Sequence, residues 1–315
     1  MSAPFGGALE AGRRVPWQAL SAVAVVAGVA GLGVRHWPVL DAGADRLVVA
    51  DREWLLLAGL CALLTWVCAA ITVQGSVREA LPVRRVVAVQ FAASAANHVL
   101  PAGLGAGAVN LRFLMRCGLA PGRAATALAV RSTAGAVVRG ALIAVLAVAS
   151  PGVLRLPSVG RMPLLLGLAG AVAVGCVAVP LARRTRVRRW LACTVADVRG
   201  VHENPRRAAA LWGGSLMFAA MHTAVVIALV RALDLPVPAG RVALAYLAAS
   251  SAAVLLPTPG GLGSLDAALA WTLTAAGAPA AASVSVVIGY RLLTVWLPLV
   301  PGLLVLVGLV RQKSL

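Results

Sequence analysis

The chain has 315 residues, of which 61% are hydrophobic and only 12% charged. So apolar a composition leaves too little polar surface to cover a soluble globule of this length, and it places the chain in the membrane class. The net charge of +18 comes from 28 Lys and Arg against 10 Asp and Glu. These basic residues gather between apolar runs, without interleaved stacking aromatics, so they point to topology and anionic lipid rather than nucleic acid.

The apolar runs come in chain order at about 17–34, 54–73, 86 to a break at Pro101, 124–149, 163–180, 208–230, 242 to a break at Pro257, and 280–310. A spanning helix needs roughly 20 apolar residues. Arg13 and Arg14 precede the first run, and no small-residue cleavage site follows convincingly, so this run reads as an uncleaved first span. Residues 1–16 form its cytoplasmic leader, and residues 17–180 form a first transmembrane half. The 181–207 link carries eight arginines between 183 and 207, and 208–311 forms the second half. Cys61, Cys68, Cys117, Cys176 and Cys193 are scattered and make no C-x-x-C pair, so they read as small core residues.

Charge sets orientation. Arg13/Arg14, Arg78/Arg84/Arg85, the 183–207 arginines and Arg311/Lys313 belong inside. The 35–53 link, with four acids and three arginines, suits the outside, as does 231–241. Both chain termini are then cytoplasmic. Three apolar runs lie between the two inside links at 74–85 and 181–207, and three full spans would put those links on opposite sides. The conflict disappears if 86–123 enters from the cytoplasm and returns there. By the same reasoning 242–279 enters from the outside and returns there. The expected fold is an all-α polytopic membrane protein with about six full spans and two re-entrant helical hairpins. Irregular backbone at membrane depth is tolerated where it is buried in protein or lines a wet cavity.

A repeat supports this. "LPAGLGAGAVNLRFLMRCGLAPGRAATALAVR" (100–131) resembles "LPTPGGLGSLDAALAWTLTAAGAPAAASVSVVIGYR" (256–291). Proline, glycines and arginine recur in one order. Two similar units of opposite orientation are the inverted-repeat signature of many transporters.

The residues that carry chemistry sit at these breaks and in the long runs beside them. Pro257, Pro259, Gly260, Gly261 and Gly263 interrupt the second hairpin, and Pro101, Gly103 and Gly105 interrupt the first. Ser264 is a candidate N-cap for a helix that restarts there, with Asp266 in its first turn. An acid in apolar surroundings needs a partner, and Arg291 and Arg131 are the candidates. Asn97 and His98 stand beside the first break; Arg112 is the first charge after it. Arg131 and Arg139 are eight residues apart within one apolar run, on nearly one helix face. Arg291, next to Tyr290, lies about 11 residues into the last run. A guanidinium matches a phosphate with paired donors. Pro298 and Pro301 are expected to kink or thin this last helix. No Walker loop, H-E-x-x-H, G-x-S-x-G or neighbouring carboxylate pair is present, so neither an enzyme nor a cofactor or metal site is expected.

The segments "LPAGLGAGAVNLRFLMRCG", "LPTPGGLGSLDAAL" and "GYRLLTVWLPLVPG" resemble the lysylphosphatidylglycerol synthase transmembrane-region family. Its members are similar to the lipid-flipping membrane half of the bacterial multiple peptide resistance factor. The resemblance covers roughly 54–310. Members often carry Glu after the P-G-G-x-G block, where this chain has Asp266. The resemblance implies a protein of the bacterial cytoplasmic membrane that flips or binds a polar-headed lipid, anionic or aminoacylated, without the aminoacyl-transferase domain of the full-length factor.

The resulting expectation is translocation of a phospholipid or lipid-linked precursor. Arg131, Arg139, Arg291, Arg112 and Tyr290 would hold the headgroup, the Pro/Gly breaks would gate, and Asp266, His98 and Asn97 would couple or balance charge. A homo-oligomer is compatible with this. The rivals are a small-solute or ion transporter, an enzyme acting on polyprenyl-linked sugars, and a non-transporting subunit of an envelope-lipid synthesis complex.

Overall fold

The computed structural model describes residues 46–99, 105–149, 196, 198–255 and 263–312. The 1–16 leader, the apolar runs at 17–34 and 163–180, and most of the 181–207 link lie outside the described residues. So do the hairpin breaks Pro101, Gly103, Pro257, Pro259, Gly260 and Gly261.

Every regular element among the described residues is helical. In order these are α1 (Arg52–Gly75), α2 (Val83–Val99), α3 (Gly105–Arg116), α4 (Pro121–Ala149), α5 (Pro205–Ala232), α6 (Ala239–Leu255), α7 (Ser264–Ala275) and α8 (Ala280–Arg291). A π-helical turn, Leu292–Trp296, joins α8 to α9 (Leu297–Arg311). Among the described residues four helices are long and apolar enough to cross a membrane: α1, α4, α5 and the continuous 280–311 helix. The described residues thus form an all-helical membrane protein, and these four match the expected runs at 54–73, 124–149, 208–230 and 280–310.

Local chemistry explains where the long helices start. Asp51 caps α1 by accepting from the Glu53 and Trp54 amides at 2.8 and 3.4 Å. Asn204 caps α5 in the same way, from Arg206 and Arg207 at 3.0 and 3.4 Å, with Pro205 at the first helical position. The π turn has a cause as well. Pro298 has no N–H to offer the Thr294 carbonyl, and its ring crowds it. Ahead of it the backbone widens, and the Leu297 amide reaches back five residues to the Leu292 carbonyl. The two prolines therefore do not end the helix; they displace one turn of it.

The order of helices repeats. A helix of 24 residues is followed by helices of 17, 12 and 29 residues. A helix of 28 residues is then followed by helices of 17 and 12 and by the 32-residue helix over 280–311. The 12-residue helices, α3 and α7, also end alike. In each, the Schellman bond returns to the last turn: Leu119 N–H to Leu114 O at 3.2 Å, and Ala278 N–H to Leu273 O at 3.1 Å. Gly118 (φ 93°) and Gly277 (φ 109°) hold the left-handed position this motif requires. Packing repeats too: α2 lies on α9 as α6 lies on α4, and α1 packs along α5.

Each short pair begins and ends at one end of the bundle. The link before α2 meets the start of α4 through a Glu79–Arg123 ion pair of 3.0 Å. The link before α6 meets the start of α8, where Asp234, Leu235 and Ala282 wall one cavity. Arg78 donates to the Ala196 carbonyl at 3.1 Å, and Arg207 donates to the Val77 carbonyl, so the Arg-rich links gather at the first of these ends.

Among the described residues a small apolar core gathers Ala134, Val201 and Leu211, and two larger ones form, one per short pair. Leu229, Leu247, Leu269, Leu273 and Val286 build one; Val73, Val89, Phe113, Leu114 and Leu309 build the other. Between them α1 and α5 cross closely. A Cβ on Gly75 would strike the backbone of Ala210 and Leu211, which has no room to yield. Gly75→Ala is expected to lower stability by about 1–3 kcal/mol through this overpacking. Equilibrium unfolding in mixed micelles checks it, and an unchanged midpoint would contradict the close crossing.

Candidate functional site

A cavity of about 460 Å³ opens between α1, α3, α4 and α5. Its walls are mostly small residues, such as Ala69, Gly107, Gly135 and Ala219, so space is left where larger side chains would fill it. Two cations face it, Arg131 and Arg139, both half-buried on α4. Their spacing of eight residues separates them by about 12 Å along the helix axis. Among the described residues neither forms an ion pair. Exposed Gly107, Ser132 and Ala136 stand on its rim.

Asn110 closes one wall. It is buried, accepts from Gln90 Nε2 at 2.7 Å and donates to the Ala106 carbonyl at 2.8 Å. This pair ties α2 to α3 and fixes the amide's orientation at the cavity.

Arg291 and Asp266 sit elsewhere. Asp266 Oδ1 accepts from Arg291 Nε at 2.5 Å, with the Arg291 side chain 6% exposed and Asp266 28%. Asp266 Oδ2 accepts from the Gly263 amide at 2.9 Å. One carboxylate therefore clasps the N-terminus of α7 and the C-terminal end of α8, beside the π turn. The N-cap of α7 is Gly263 (φ 87°), not Ser264, which is its first helical residue. The left-handed backbone and the third-position acid replace the expected serine cap.

Tyr290 connects the two places. Its hydroxyl lies 3.0 Å from His222 Nδ1 on α5 and 3.2 Å from the Tyr246 hydroxyl on α6. The chain has two tyrosines, and they meet here. His222 packs edge-on against Phe218 with ring centroids 4.6 Å apart, and Phe218 lines the cavity. Arg139 is within electrostatic reach of His222 and Tyr246. The His222–Tyr290–Tyr246 cluster thus stands between the cavity wall, which it meets at the Phe218 ring, and the Arg291–Asp266 pair, which follows Tyr290 along α8. Tyr290→Phe leaves His222 and Tyr246 without this hydroxyl. It is expected to cost about 1–3 kcal/mol of stability, read from the thermal unfolding midpoint in detergent; no change would mean the hydroxyl contributes nothing.

Of the remaining candidates, Arg112 is exposed on α3 and does not line the cavity. Asn97 and His98 are half-buried at the end of α2, also outside it. Gly105 is a close-approach position, since a Cβ there would run into the Ala96 carbonyl. Sequence reasoning passed over His222, Tyr246 and Gln90. Each is a polar residue inside an apolar run, the signal that singled out Arg139. Of the cysteines, Cys61 and Cys68 are buried in α1 and Cys117 is half-buried after α3; Cys176 and Cys193 lie outside the described residues.

Among curated proteins no match to the chain is found. The family model of the lysylphosphatidylglycerol synthase TM region matches residues 18–302, and the chain belongs to that family.

Proposed function

We propose that this member of the lysylphosphatidylglycerol synthase TM family translocates a phosphate-bearing lipid across the membrane, without altering its bonds. The observation that carries this is the pair Arg131 and Arg139, uncompensated among the described residues, on a cavity large enough for a polar headgroup. An intramembrane cation without a carboxylate partner is costly unless an anion neutralises it. The cavity volume falls within the usual range for ligand sites, roughly 300–1,000 Å³. Exposed Ser132 and Ala136 on its rim suit a lateral mouth through which acyl chains stay in the bilayer.

In this reading the Arg-rich end faces the cytoplasm, and the two short pairs are re-entrant hairpins entering from opposite faces. The matching helix lengths and Schellman turns of the two halves support an inverted repeat. At 12 residues, α3 and α7 reach about 18 Å, short of a bilayer core of about 30 Å. Arg131 and Arg139 hold the headgroup phosphate. Arg291 is neutralised by Asp266 and holds the second hairpin in place. His222 and Tyr290 carry strain between the cavity and that hairpin, and the π turn with Pro298 and Pro301 gives α8–α9 a place to bend.

The test is translocation of labelled phospholipids in proteoliposomes, read by chemical quenching of the outer leaflet. Label should move between leaflets only when the protein is present. A folded protein that moves no phospholipid would remove the proposal and favour a small-solute carrier or a complex subunit.

A further inference from the structure

We infer that the cavity accepts headgroups of net negative charge and rejects aminoacylated ones. This rests on Arg131 and Arg139 forming the headgroup site proposed above, and it names the lipid class that site takes.

A lysylated phosphatidylglycerol carries one phosphate and two ammonium groups. Its net charge is positive, and at membrane depth its ammonium groups need carboxylates or an aromatic cage. The chain has ten acids, and Asp266 alone lies inside an apolar run; the others stand in links, in the leader or at a helix start. Both Asp266 oxygens are engaged, one by Arg291 and one by the Gly263 amide. Asp266 does not line the cavity. Among the described residues, no carboxylate lines the cavity with Arg131 and Arg139.

The rest of the wall offers a cation little. Phe218 is the one aromatic ring among the described lining residues, and one face is not a cage. The Asn110 carbonyl oxygen already accepts from Gln90, and the hydroxyls of Thr72, Ser132 and Ser215 offer a cation neutral oxygens only. An anion meets two guanidiniums instead, with the Ser132 hydroxyl on the stretch of α4 between them. The cavity is thus charge-selective by what its described walls contain.

The same chemistry would hold the phosphate of a lipid or of a soluble ester, and the experiment separates these. Phosphatidylglycerol, lysylphosphatidylglycerol and glycerol 3-phosphate are tested for binding to the full chain in nanodiscs, and the two lipids for transport in proteoliposomes. Phosphatidylglycerol should bind at least about tenfold more tightly than its lysylated form, as expected where like charges oppose. Ser132→Asp, which sets a carboxylate between the arginines, should shrink this gap to less than about threefold. Ser132→Asn, of similar size and uncharged, should keep it.

Equal or tighter binding of the lysylated lipid by wild type would overturn the inference. So would Ser132→Asn closing the gap as far as Ser132→Asp. Selective binding of phosphatidylglycerol without transport would uphold charge selection and defeat the translocation proposal. Transport of both lipids at one rate would do the reverse. Displacement of phosphatidylglycerol by glycerol 3-phosphate would uphold charge selection and assign the site to a soluble phosphate.

Discussion

Asp266→Asn is expected to destabilise the protein by about 3–5 kcal/mol, because it removes the carboxylate that pairs with a buried guanidinium. Arg291 is 5% exposed, and its Nε–H is held by Asp266 at 2.5 Å. Asparagine keeps a carbonyl for the hydrogen bond but removes the charge that faces the buried Arg291. The same change weakens the Gly263 cap at the start of α7, so the hairpin itself should loosen. Arg291→Met combined with Asp266→Asn removes both charges and should recover most of the lost stability, since a buried pair replaced by apolar volume is often neutral. Asp266→Glu keeps the charge with a longer reach, and it should fall between. Unfolding midpoints of the four proteins in one detergent decide this. If Asp266→Asn costs less than about 1 kcal/mol, or if the double variant is no better than the single one, the pair is not the clasp described here.

The second large effect is on function and has the opposite sign on stability. Arg139→Ala should lower phospholipid translocation by about tenfold to a hundredfold, the worth of one charge-assisted contact to a phosphate. Among the described residues Arg139 has no ion-pair partner, so its removal breaks no salt bridge and relieves a charge facing a cavity. The variant should therefore be as stable as wild type or slightly more so, the exchange expected of a binding residue held against the stability of the fold. Arg139→Lys keeps the charge without the two-pronged geometry and should retain part of the activity. Arg131→Ala should follow Arg139→Ala. Full transport by Arg139→Ala with native unfolding behaviour would show that the cavity does not hold the headgroup.

The two arginine environments show how far a sequence can be read. Arg131, Arg139 and Arg291 share one signal, a charge deep in an apolar run. Nothing along the chain distinguishes a cation held by a carboxylate from one facing a void. In the structure Arg291 meets Asp266, while Arg131 and Arg139 face the cavity. Sequence reasoning grouped all three at one headgroup; the fold divides them into a clasp and a cavity wall. It also named Arg291 as a candidate partner for Asp266, because an acid and a base at membrane depth have few alternatives to each other.

Membrane class, the helical nature of the described residues and the bounds of the runs at 54–73, 124–149, 208–230 and 280–310 were written in composition and hydropathy, since a bilayer demands long helices with every backbone group satisfied internally. The Gly118 and Gly277 turns are marked in the sequence for a similar reason: a left-handed cap leaves its mark as glycine. Tertiary structure alone decided which distant polar groups meet. His222, Tyr246 and Tyr290 come from three helices, and 68 positions separate the first from the last. Their hydrogen bonds depend on how α5, α6 and α8 rotate against one another, and that rotation is set by packing of small and large side chains across the whole bundle. The cavity is of the same kind, because an empty space is a property of what several helices fail to fill together, and no single stretch of sequence records it.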